Sequence, residues 1–223
     1  MVITGLHQTS PERYRVSLEG GKEIRTTLGV ITDLRLFEGK DLDDGQLEEF
    51  KLASLRSLTL ERSIELLSRR QMSKKELRDK LLRKEVEEDA AVWCADKLET
   101  MGLLNEESYA GSVARHYSAR GYGSGRVRSE LSRRGIPREL WEDALKEMPE
   151  SDDGIDRLLR KKLRDPDDKD QIRKATASLL RRGFSWEEVR GALTRMKAEL
   201  ESPENCEDSE NCEDPEDEGG DYL

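Results

Sequence analysis

The chain has 223 residues, a formal net charge of −10, 39% charged residues and 5% aromatic ones. That balance suits small helical bundles with wide solvated faces rather than one deep core, and the length allows one domain or two. No run of 18 apolar residues occurs, which excludes a helical membrane span.

The opening MVITGLHQTSPERY lacks a basic region followed by an apolar stretch, so no secretory signal is expected. Cys94, Cys206 and Cys212 make no disulfide framework. A reducing cytoplasm is the expected location. The net charge conceals an asymmetry. From Glu199 to Leu223 there are 12 acidic residues and no basic ones, whereas residues 51–198 carry 33 Lys and Arg against 27 Asp and Glu, a balance of +6. A mildly basic body is joined to a strongly acidic tail, and such a block of like charge marks a disordered tail.

In chain order, residues 13–31 alternate. Tyr14, Val16 and Leu18 share one side, Gly20-Gly21 supplies a turn with positive φ, and Ile24, Thr26, Leu28 and Val30 resume the pattern. This predicts a β-hairpin, with a short third strand near Leu34–Phe37. A lone hairpin is marginal in water, so it must pack on the first helices. Asp43 or Asp44 starts a long helix whose stripe is Phe50, Ala53, Ser57, Leu60, Ile64 and Leu67.

Further helices follow: one from Ser73, one from Ala90 to Met101 ended by Gly102, and one capped by Asn105 with Glu106 and Glu107 in its first turn. Pro137 suits the first turn of a helix ending at Met148. After a polar linker over 149–154, Ile155, Leu158, Leu159 and Leu163 predict a helix. So do Ile172, Ala175 and Leu179, and finally Trp186, Val189, Leu193 and Met196. Past Glu201, ENCEDS and ENCEDP form an acidic duplication that cannot bury a core.

One helical unit is written three times. Without gaps, Arg70, Arg120 and Arg182 coincide, as do Met72, Tyr122 and Phe184; Leu77, Val127 and Val189; Arg78, Arg128 and Arg190; and Leu81, Leu131 and Leu193. Ser73 with Glu76, and Ser185 with Glu188, have capping-box spacing, each cap contributing about 1 kcal/mol. Met72 with Leu77, Tyr122 with Val127 and Phe184 with Val189 have hydrophobic-staple spacing. The middle unit has Gly123 and Arg126 at the capping positions, so its helix should start less firmly. The expected fold is mainly α: tandem three-helix repeats in an elongated array, with a small N-terminal β-hairpin and a disordered acidic C-terminal tail. The expected limits are 1–43 for the hairpin extension, 44–88, 89–148 and 149–200 for the repeats, and 201–223 for the tail.

Catalytic and metal chemistry finds no constellation. His7 and His116 have no metal-ligand partners at useful spacing. Gly121-Tyr122-Gly123-Ser124-Gly125 lacks the preceding strand and the Gly-Lys-Ser/Thr end of a phosphate loop and reads as a turn. Cys206 and Cys212 offer too few soft ligands for a metal. The residues that stand out are basic: Arg69, Arg70, Lys74, Lys75 and Arg78 in the first unit, and Arg120, Arg126, Arg128, Arg133 and Arg134 in the second. Singly they suit solvated faces, and Arg78, Arg128 and Arg190 suit stems laid over a repeat core. Together they suit contact with an acidic protein surface or a phosphate backbone.

The segments RSIELLSRRQMSKKELRDKLLRK, MGLLNEESYAGSVARHYSARGYGSGRVRSELSRRGI and LRRGFSWEEVRGAL resemble the RecX regulatory proteins over about residues 60–196. The hairpin resembles an N-terminal extension that some members carry; the acidic tail is not part of the pattern. The resemblance implies a cytoplasmic, monomeric, non-catalytic modulator without cofactor or metal. Its partner would be the filament that the RecA recombinase forms on single-stranded DNA, which it would inhibit in growth, ATPase activity and strand exchange during recombination, repair and the SOS response. The alternatives are a helical protein binding single- or double-stranded DNA without RecA, a scaffold for another partner and, last, an enzyme.

Overall fold

The computed structural model describes residues 1–148, 152–163, 165 and 168–201. It opens with an antiparallel sheet of β1 (Ile3–Ser10), β2 (Arg13–Leu18) and β3 (Glu23–Thr27), in that order. Gly20 and Gly21 turn between β2 and β3 with φ of 83° and 76°, conformations that glycine adopts at little cost. The hairpin is thus present, but its third strand lies ahead of it and not at Leu34–Phe37. Nor do Leu28 and Val30 extend β3. The Thr27 hydroxyl accepts from the Val30 N–H and starts helix α1 (Leu28–Asp33). A threonine before apolar residues serves a strand or a helix cap equally well, and here the cap wins. Ile3, Val16 and Leu18 from the sheet close over Val30, Leu36, Leu42, Leu47 and Phe50.

Helix α2 (Asp44–Arg69) has a full capping box between Asp43 and Gln46. Its buried line departs from the expected stripe. Ile64 is exposed, while Ser54, Thr59 and Ser63 are buried. At 26 residues the helix is about 39 Å long, and different partners cover it along its length. Ser54 donates to the Thr26 hydroxyl at 2.9 Å, and Ser57 shares a 2.7 Å hydrogen bond with Thr27. The Thr59 and Ser63 hydroxyls bond the carbonyls four residues back, so burial leaves neither unsatisfied.

Helices α3 (Lys74–Leu82) and α4 (Glu88–Thr100) pack on α2. Leu77, Leu81, Ala91, Ala95, Leu98 and Leu104 form one core with Leu60, Leu66, Leu67 and Val86 around it. α4 therefore shares a core with α2 and α3, across the limit expected at residue 88. Next come α5 (Glu106–Ala119), α6 (Ser124–Arg133), a 3-10 turn over Arg138–Leu140 and α7 (Trp141–Lys146). Pro137 precedes the 3-10 turn instead of opening one continuous helix. The last elements are α8 (Asp152–Lys162), α9 (Lys169–Arg181) and α10 (Trp186–Glu201), around Ile155, Leu159, Ala175, Leu179, Phe184, Val189 and Ala192. Trp186 stays out of that core and is exposed, because Phe184 from the preceding turn is buried there instead. The acidic tail beyond 201, with Cys206 and Cys212, lies outside the described residues.

Helix ends repeat one device. After α4, α5, α6 and α9 a glycine takes a positive φ (Gly102, Gly121, Gly135 and Gly183), and the next apolar N–H returns to the last turn. Leu103 bonds Leu98, Tyr122 bonds Tyr117, Ile136 bonds Leu131 and Phe184 bonds Leu179. This double closure satisfies carbonyls that a helix end leaves open. Glu85 does the same after α3 without being glycine, at φ 60°.

The chain divides into two compact units. One is Met1–His116 with Val127–Met148; the other is Tyr117–Arg126 with the described residues after 148.

Candidate interaction surface

Both expected capping boxes form. The Glu76 and Glu188 N–H groups donate to the Ser73 and Ser185 hydroxyls at 3.1 Å each, and the two glutamates accept in return from the serine N–H groups. The middle turn is built differently. Gly123 N–H donates to the Arg182 carbonyl at 3.0 Å and Gly125 N–H to the Gly183 carbonyl at 2.9 Å. Glycine stands there because two turns meet backbone to backbone.

That contact gathers a cluster in the second unit. The Arg126 and Arg182 guanidinium groups lie 5.9 and 5.6 Å from the centroid of the Tyr122 ring, and the Tyr117 ring stands 5.6 Å from it at 58°. Arg182 also donates to the Gly121 carbonyl at 3.2 Å, which orients it. Arg120 and Arg126 are exposed. Arginine on an aromatic face contributes about 0.5–1 kcal/mol at exposed sites. Arg182 was not among the expected residues, although its alignment with Arg70 and Arg120 was the signal.

The other candidates, from both the first and the second repeat, belong to the compact unit of Met1–His116 with Val127–Met148. Arg69 pairs with Glu65 at 2.6 Å in the last turn of α2. Lys74 pairs with Asp96 at 3.0 Å and Glu99 at 2.6 Å, and Lys75 lays its stem over Gly135. Arg78 reaches Glu88 at 3.1 Å and Arg128 reaches Glu142 at 3.3 Å. These are equivalent positions, each paired at the surface with an acidic residue in the first turn of a later helix.

Arg133 is mostly exposed and bonds Glu130 at 2.7 Å, but Arg134 does not share its outer face. It is 19% exposed, donates to the Tyr109 hydroxyl, and lies 3.5 Å from Glu76 and 3.9 Å from Glu130, itself 5% exposed. Ser73 donates its hydroxyl to the Arg134 carbonyl. Arg70 joins from the other side, 3.3 Å from Glu76. This network ties α3 to α5 and α6. Burial pushes the Glu76 carboxyl up, but the Tyr109 hydroxyl, the Ser73 N–H and Arg70 outweigh it and its pKa is lowered. Burial raises the Tyr109 pKa, and Glu76 raises it further.

Among the described residues no helix is long and apolar enough to cross a membrane, and no group of three or more His, Cys, Asp and Glu could hold a metal. Cys94 is buried, and burial pushes its thiol to about 11.

Comparison with known proteins places this geometry. Residues 60–98, 105–145 and 150–193 match the first, second and third three-helix domains of RecX. The regulatory protein RecX of Xanthomonas axonopodis pv. citri (strain 306) is 36% identical over 137 residues, 60% of this chain and 84% of that one. The regulatory protein RecX of Enterococcus faecalis (strain ATCC 700802 / V583) is 28% identical over 206 residues, 88% of this chain and 76% of that one. A crystal structure of regulatory protein RecX superposes with a TM-score of 0.72 at 23% identity, covering 85% of this chain and 97% of the other, and bears on the fold alone. Three matched domains in order, laid over three helical repeats with a shared scheme of caps and helix ends, make this chain a member of the RecX family.

Proposed function

We propose that this chain is a non-catalytic regulator of the RecA recombinase. It binds the filament that RecA forms on single-stranded DNA and limits its growth, ATP hydrolysis and strand exchange, acting as a cytoplasmic monomer in recombination and repair. Family membership supports the reading, and the observation that carries it is the Arg126–Tyr122–Arg182 cluster, with the exposed Arg120 two residues ahead of Tyr122 in the chain. Guanidinium donors held on an aromatic face suit both acidic side chains and phosphates. Repeated units offer repeated contacts, which add through effective concentration along a polymer.

The test is ATP hydrolysis by RecA on single-stranded DNA with the full chain added. Hydrolysis should fall at stoichiometric protein, and Arg120→Glu with Arg126→Glu should raise the amount needed about tenfold, a loss of about 1.4 kcal/mol. No change at stoichiometric protein overturns the reading.

Direct DNA binding without RecA is the second reading, favoured by the +6 balance of residues 51–198. It predicts binding that weakens steeply with salt, each phosphate contact adding a log–log slope of about −0.9 on duplex DNA. Tight, sequence-selective duplex binding with no effect on RecA would establish it instead.

A further inference from the structure

A cavity of about 530 Å³ lies in the first unit, among β2, β3, α2 and the turn after α3. Arg13, Arg15, Arg25, Arg62 and Lys84 line it, against two carboxylates, Glu65 and Glu85. Part of that charge is answered: Arg13 pairs with Glu61 at 2.8 Å, Arg15 with Glu23 at 3.5 Å, and Glu65 with Arg69 at 2.6 Å. Arg25, Arg62 and Lys84 have no ion pair among the described residues.

The sheet register sharpens the point. Arg15 and Arg25 are direct partners across β2 and β3. Like charges in that relation repel, so the sheet sets two cations side by side, with only Arg15, among the described residues, answered by a carboxylate, Glu23. The rest of the wall is of another kind. Tyr14, half-buried, lines the same cavity, and Leu55 and Leu58 of α2 add apolar surface. Phosphate donors beside an aromatic and apolar wall match a group that is anionic at one end and a flat ring at the other.

We propose that this cavity is a nucleotide site, with Arg25, Arg62 and Lys84 taking the phosphate and Tyr14 with the leucines taking the base. The volume falls within the range of about 300–1,000 Å³ typical of small-ligand pockets. A nucleotide can come free or as one unit of a single strand, and arginine with an aromatic ring serves both. Most of the wall comes from residues ahead of 60, outside the three matched repeats, so the site does not rest on the filament reading.

The test measures binding of a fluorescein-labelled oligothymidylate and of mant-ADP to the full chain and to Arg25→Glu with Arg62→Glu. Glutamate at 25 would face Arg15, so the variant should melt no lower than the parent; if it does, Arg25→Gln with Arg62→Gln carries the same test. The expected result is strand binding weakened about tenfold or more, with a flatter salt dependence. Mant-ADP binding lost in the same variant assigns the free nucleotide; strand binding alone assigns the single strand.

Two results overturn the proposal: affinity for both probes within about twofold of the parent in a folded variant, or polyglutamate displacing the strand as well as unlabelled strand does. Arg120→Glu with Arg126→Glu should leave this site intact. A failed RecA assay and a failed cavity are therefore separate outcomes.

Discussion

A Cβ atom on Gly123 would stand 2.5 Å from the carbonyl oxygen of Gly183. Ser73 and Ser185 hold the equivalent position in the other two repeats, so Gly123→Ser looks like a restored cap. The expected outcome is the reverse. The added atom meets backbone, which moves only if the two turns separate and the Gly123 to Arg182 hydrogen bond is lost. Urea unfolding of the full chain should show a loss of about 1–3 kcal/mol. A gain in stability would mean that the turns are not in contact.

Neighbouring arginines should behave differently. Arg134→Ala removes the donor to the Tyr109 hydroxyl and one of the two cations facing each of Glu76 and Glu130 in a mostly buried setting, with Arg70 and Arg133 remaining, a loss of about 2–3 kcal/mol. Partial exposure of Glu76 places the expectation at the lower end. Arg133→Ala removes a mostly exposed guanidinium from the buried Glu130 while Arg134 still faces that carboxylate, and should cost about 1 kcal/mol. Thermal melts of the two variants side by side decide the matter. Equal losses would contradict the assignment of Arg134 to the interior.

Glu85 holds a glycine conformation, φ 60°, at the end of α3. An L-residue there carries strain that glycine lacks, while glycine adds freedom to the unfolded chain. Glu85→Gly should therefore stabilise the protein by about 0.5–1 kcal/mol net. Denaturant midpoints check it, and a shift to lower denaturant would show that the backbone pays no strain at this position.

Two half-buried carboxylates at the start of α3, Glu76 within it and Glu106 of α5 beside it, should give opposite pH responses. The Glu76 pKa is lowered, so its contribution to stability is present above the ordinary carboxylate pKa and is lost as pH falls through the lower folded value. Glu106 is raised: burial outweighs the Lys74 N–H and Lys74 charge that favour its anion. Its ionised form subtracts stability above the raised folded pKa, and the subtraction vanishes as pH falls to the ordinary value. Glu106→Gln keeps an oxygen for the Lys74 N–H, which now donates to Glu106 at 2.8 Å. It should stabilise at neutral pH and have no effect near pH ~4, around the unperturbed carboxylate pKa. Glu76→Gln should destabilise at neutral pH, by less as the solution is acidified. Urea midpoints across this range are the measurement, and parallel profiles for the two variants would refute the assignment.

Much of the fold was legible where the signal is local. Ser73 with Glu76 and Ser185 with Glu188 announced their helices, because a cap is a contact between residues three apart. Strand β1 was not legible: Ile3 and Leu6 are interrupted by Gly5 and followed by polar residues, and the strand exists because β2 offers it an edge. At the candidate surface Arg120 and Arg126 were found from charge alone. Arg182 was missed, since its place beside Tyr122 depends on a turn 61 residues away.

By itself the sequence determined the three repeats, their caps, the glycine helix ends and the acidic tail's composition, because each rests on periodicity or short spacing along the chain. Only the tertiary structure decided which basic residues are structural and which face outward. Arg133 and Arg134 are adjacent in sequence, and what separates them is a carboxylate and a phenol delivered by α3 and α5. A side chain's charge is written in the sequence; the groups that neutralise it arrive only when distant helices pack.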